Sequence, residues 1–83
     1  MINKVTVYNV KKGQSVIMSK QLPTDRLFGN KHPIQKDAKG YIMTEGFING
    51  RLRVEFYTHA WGTQSVEFNE LSANEFLLTD VIL

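Results

Sequence analysis

The dipeptide Asn49-Gly50 constrains this chain more than any other pair of residues. It sits between "YIMTEGFI" and "RLRVEFYT", two runs in which apolar and polar residues alternate. Both residues tolerate the positive φ of a type I′ turn, whose twist matches the strands it joins. The stretch therefore reads as a β-hairpin with a two-residue loop. That loop pairs Ile48 with Arg51, Phe47 with Leu52, Glu45 with Val54 and Met43 with Phe56. One face then holds Tyr41, Met43, Glu45, Phe47, Leu52, Val54 and Phe56. The other holds Ile42, Thr44, Gly46, Ile48, Arg51, Arg53, Glu55 and Tyr57. Glu45 is the one charge on the apolar face. A bulge at Gly46 would flip the residues before it and turn Glu45 to water; that bulge, or an edge position for Glu45, is expected.

Other strands follow from the same alternation. "INKVTVYNV" (2–10) and "QSVIMSKQL" (14–22) flank Lys11-Lys12-Gly13, a short connection with glycine last, so the first two strands are expected to pair. "QSVEF" continues the sheet with Val66 and Phe68 inward. Residues 23–40 differ in texture: they carry both prolines and end in an Asp-Ala-Lys-Gly turn. Thr24 is placed to cap one helical turn through Leu27 and Phe28, and Pro33 forbids a longer helix. A loop of this length is either packed down, here by Leu27, Phe28 and Ile34, or functional. The C-terminus has two readings. Ser72 with Glu75 fits a capping box and Leu71 with Phe76 a hydrophobic staple, so a helix can start there. The preferred alternative is a final strand over 76–82, with at most one helical turn before it.

These elements add up to an all-β fold, or a mainly β fold with one short helical turn. The expected architecture is a single domain over residues 1–83, a small antiparallel barrel or curved sheet of about five to six strands. Leu52, Val54, Phe56, Val66, Phe68, Phe47 and Met43 are expected in the core, with Trp61 closing one end. A chain of 83 residues with 42% apolar content folds, but its core is small. The first residues, "MINKVT", contain no apolar run of signal-peptide length, and about 18 consecutive apolar residues occur nowhere. With no cysteine, the expectation is a cytoplasmic protein with no membrane partner.

The available chemistry is narrow. His32 and His59 lack metal-ligand spacing, so no metal and no cofactor is expected. No glycine-rich phosphate loop and no nucleophile elbow is present. Ser65, Glu67 and His59, or Asp25 with His32, can be assembled into catalytic sets on paper, but so can triples in any chain of this size. The expectation is no enzyme.

Charge is the remaining hint. Residues 1–40 hold eight lysines and arginines against two aspartates, a net +6; residues 41–83 hold two arginines against six acids, a net −4. Either this polarity marks an anionic partner, or the two sets intermix once the chain folds. The candidate partner-binding residues are Arg26, Lys31, His32, Lys36 and Lys39 in the basic loop, with Arg51, Arg53 and Tyr57 on the outward face of a strand. The leading expectation is a small non-catalytic protein that docks on, and modulates or inhibits, a larger protein with an acidic surface. In style, though on no motif, that resembles phage accessory or anti-defence factors. The alternative is an OB-like module that binds single-stranded RNA or DNA by stacking bases on Tyr57 beside Arg51 and Arg53.

Overall fold

A computed structural model describes residues 2–4, 10–23, 32–58 and 62–80 of the chain. Within them run β1 (Ile2–Lys4), β2 (Ser15–Met18), β3 (Lys39–Ile42), β4 (Leu52–Thr58), β5 (Gly62–Phe68), α1 (Glu70–Phe76) and β6 (Leu77–Asp80). The strands form one sheet in the order β1-β6-β2-β3-β4-β5, with every neighbouring pair antiparallel. β1 and β5 stand at opposite edges, so the sheet is open and the curved-sheet form of the expected fold applies, not the closed barrel. Among the described residues, no helix is long and apolar enough to cross a membrane.

β4 and β5 form the strongest ladder because their alternation is clean. Leu52, Val54 and Phe56 point inward and are fully buried, as are Val66 and Phe68 across from them. Phe56 and Phe68 meet edge to face, with ring centroids 6.4 Å apart. Each such buried side chain contributes roughly 1.5–3 kcal/mol. Trp61 lies outside the described residues.

The Asn49-Gly50 turn forms as the sequence predicts, with φ of 53° and 76°, and Ile48 and Arg51 exchange backbone hydrogen bonds of 2.8 and 3.0 Å. Beyond Ile48, the predicted register fails. Ile42 faces Val54, Tyr41 faces Glu55 and Gly40 faces Phe56. Residues 43–47 therefore span what Leu52 and Arg53 alone span on the other arm. The offset is three residues, an odd number, so it reverses the faces of β3. Ile42 is fully buried, whereas Met43 is 39% exposed, which corrects its expected place in the core. Gly46, with φ of 73°, sits in this enlarged bulge, and the Thr44 hydroxyl donates to its carbonyl at 2.9 Å. Glu45 reaches water, as the bulge expectation has it, and Phe47 is half-buried against the core. The shifted register also answers a steric demand, because the Phe56 ring fills the place a side chain at position 40 would occupy.

The expected pairing of the first two strands is also corrected. The turn over Lys11–Gln14 exists, with Gly13 at φ 86°. Its outgoing arm, however, bonds to β3: Gly13 donates to the Ile42 carbonyl and Ile42 to that of Gln14. On the other side of β2 lies β6, which separates it from the described part of β1. Leu77, inward on β6, completes the core beside Met18, and that burial draws the C-terminal strand into the sheet.

Both readings of the C-terminus hold in part. A helix longer than one turn runs over Glu70–Phe76, and a strand follows it directly. The cap is Asn69, not Ser72: Asn69 Oδ1 accepts from the Ser72 N–H at 2.8 Å, and Ser72 Oγ accepts from the Asn69 N–H at 3.0 Å. This reciprocal pair satisfies two otherwise orphan donors. At the other end, the Ser19 backbone N–H donates to the Phe76 carbonyl, and its hydroxyl donates to the carbonyls of Glu75 and Phe76.

The helix buries Ala73 and Phe76 on the inner face of the sheet. The long loop shares that face. Leu22 and Ile34, both fully buried, exchange backbone hydrogen bonds of 2.7 and 2.9 Å and close its base. Ile34 packs as expected; the predicted helical turn at Thr24, Leu27 and Phe28 lies outside the described residues. The opposite face of the sheet has no covering element among the described residues.

Candidate binding surface

Alternation decides what the uncovered face presents. Where Gly40 and Ile42 point inward, Lys39 and Tyr41 point outward; where Val54 and Phe56 point inward, Arg53, Glu55 and Tyr57 point outward. Cross-strand register then sets neighbours: Ile17 faces Lys39, Tyr41 faces Glu55, Tyr57 faces Thr63 and Arg53 faces Glu67. Tyr57 is thus diagonal to Tyr41, a spacing of about 7–8 Å. The two residues are 50% and 66% exposed, on adjacent strands. Lys39 Nζ lies 5.8 Å from the centroid of the Tyr41 ring, a cation–π contact that holds a positive charge beside the aromatic pair. The half-buried Ile17 and Leu78 extend this patch across β2 and β6.

The predicted site residues separate into two groups. Lys39 and Tyr57 belong to the aromatic patch, and Lys36 stands exposed in the turn just before β3. Arg51 and Arg53 lie toward the other end of β4; Arg51, six residues from Tyr57, is about 20 Å away along the strand. They flank one carboxylate, Arg51 at 3.8 Å and Arg53 at 4.0 Å from Glu67, all three side chains well exposed. The three line a shallow, open depression of about 450 Å³ together with Thr44, Ile48 and Asn49. His32 is half-buried, and its backbone N–H donates to Gln64 Oε1, which ties the loop's exit to β5. Arg26 and Lys31 lie outside the described residues, as does His59.

Charges from the two halves of the chain meet. Lys20, from the basic half, bonds to Glu75 at 2.9 Å and stands 5.1 Å over the Phe76 ring. Among the described residues, no three histidine, aspartate or glutamate side chains gather as a metal site would require. Sequence reasoning missed Tyr41, assigned to the inner face by the simple hairpin register. The signal that places it outward is Gly46, the bulge position already identified. Comparison with protein-family models, curated proteins and solved structures finds no match for this chain.

Proposed function

We propose that this is a non-catalytic binding protein whose uncovered sheet face docks on a larger protein and modulates it. One observation carries the reading: Tyr41 and Tyr57 stand half to two-thirds exposed on adjacent strands of a face that no described element covers. Tyrosine, methionine and arginine are the residues enriched where proteins meet, and Tyr41, Tyr57, Met43 and Arg53 share this face. Lys36 and Lys39 border it and suit a partner with acidic groups at the rim.

Single-stranded nucleic acid is the other reading, and the tyrosine pair would serve it as a stacking platform. Glu55 weighs against it. Glu55 is the cross-strand partner of Tyr41, so its negative charge belongs to the aromatic patch, where a phosphate backbone would meet repulsion. A protein partner accommodates it with one hydrogen-bond donor.

Affinity capture from nuclease-treated extract, with quantitative mass spectrometry, tests this. Wild-type protein should enrich a defined protein that Tyr41→Ser/Tyr57→Ser loses and Leu71→Ser, on the helix surface, retains. Equal enrichment by all three would sink the assignment of this face. Fluorescence polarisation with labelled single-stranded RNA and DNA completes the comparison. Binding that persists at physiological salt and weakens with Tyr57→Ala transfers the face to nucleic acid.

A further inference from the structure

Among the described residues, β5 is an edge strand of the sheet. Met43 donates to the Arg53 carbonyl across the β3–β4 ladder, at 2.8 Å. The odd-numbered residues of β4 therefore turn their backbone groups toward β3, and the even-numbered ones toward β5. Across the unbroken β4–β5 register, Gly62, Gln64, Val66 and Phe68 take up those even-numbered partners. The N–H and C=O groups of Thr63, Ser65 and Glu67 then point away from the sheet, to a side on which no described strand pairs. All three residues are exposed.

Proteins commonly blunt such an edge with proline, lysine, a bulge or brevity. β5 has none of these: "GTQSVEF" runs seven residues in regular register. Its one charge, Glu67, is already flanked by Arg51 and Arg53.

We propose that β5 pairs antiparallel with β5 of a second copy of this chain, about a two-fold axis at Ser65. In that register Ser65 faces Ser65 of the second copy, and Thr63 faces Glu67 of the second copy. Three residues from each copy, each with one N–H and one C=O, complete six backbone hydrogen bonds. A slip of two residues in either direction leaves fewer of these groups paired within the strand. The charges agree with the register: the two Glu67 residues stand about 14 Å apart, beyond the screening length at physiological salt, and each faces a neutral threonine. The two-fold closes the assembly at a dimer. It also joins the two uncovered faces into one continuous surface, though the dimer does not depend on what that surface binds.

The test combines sedimentation over a range of concentrations with amide hydrogen exchange. Wild-type protein should dimerise reversibly, and the amides of Thr63, Ser65 and Glu67 should gain protection as concentration rises. The amides of Gln64 and Val66, bonded to β4, should stay protected at every concentration, which shows that the fold is intact. Thr63→Lys places an ammonium opposite each Glu67 of the partner copy and should tighten the dimer about fivefold; Thr63→Glu should weaken it by at least as much. A wild-type protein that remains monomeric overturns the proposal. So does a dimer in which both Thr63 variants shift association in the same direction, or neither shifts it.

Discussion

Gly40→Ala tests the β3–β4 register, on which the inward and outward assignment of every β3 residue depends. A Cβ at this position would stand 2.6 and 2.7 Å from two Phe56 ring carbons and 2.8 Å from the Glu55 carbonyl oxygen. Ordinary carbon contacts lie at about 3.5–4.0 Å, so the ring must withdraw by about 1 Å. The ring has nowhere to go. Phe56 is fully buried and packs edge to face on Phe68, and the carbonyl belongs to the backbone of β4. Overpacking of this kind costs about 1–3 kcal/mol, and the entropy gained by removing a glycine from a strand returns about 0.5–1 kcal/mol. The expected net loss is about 1.5 kcal/mol, or roughly 6–12 °C in Tm for a chain of this size. Chemical denaturation followed by tryptophan fluorescence or circular dichroism measures it. Phe56→Leu should relieve part of the clash, so the double variant should be more stable than the sum of the single effects by about 0.5–1 kcal/mol. A neutral or stabilising Gly40→Ala would refute the register and return Tyr41 to the inner face.

Three further outcomes follow from the packing. Ile42→Ala should cost about 2–4 kcal/mol by equilibrium unfolding, and Met43→Ala less than about 1 kcal/mol; the simple hairpin register predicts the reverse order. Asn69→Ala removes the acceptor for the Ser72 N–H and should cost about 1 kcal/mol in the same assay, with Asn69→Asp close to wild type. Arg51→Ala should change stability by no more than about 0.5 kcal/mol, because its contact with Glu67 is long and exposed to solvent.

Some local signals are legible in the sequence alone. Asn49-Gly50 specified its turn, and strict alternation in 52–56 and 66–68 specified which residues are inward. What a glycine permits is not what it imposes. Gly46 allowed a bulge, but its size was set by the fit of Gly40 beneath the Phe56 ring, a contact between different strands. The same limit explains the C-terminus. "NELSANEF" (69–76) holds two overlapping cap patterns, Asn69 with Ser72 and Ser72 with Glu75, and Asn69 takes the cap in the helix that buries Ala73 and Phe76. The insertion of β6 beside β2 was invisible for a similar reason, since strand order depends on which apolar strand completes the core beside Met18. Of the candidate site, Tyr57 is legible as an outward residue of its strand, whereas Lys39, expected in the basic loop, is the first residue of β3. Tyr41, which makes them a patch, depended on the missed offset.

The proposed protein partner is expected to sit on the Tyr41–Tyr57 face. Photo-crosslinking tests it most directly, with a benzophenone amino acid at position 57 and, as control, at the 84%-exposed Leu71 on the helix. In cells that express the protein, a discrete nuclease-resistant protein adduct is expected from position 57 and none from position 71. Adducts that nuclease removes, or the same adducts from both positions, would contradict it.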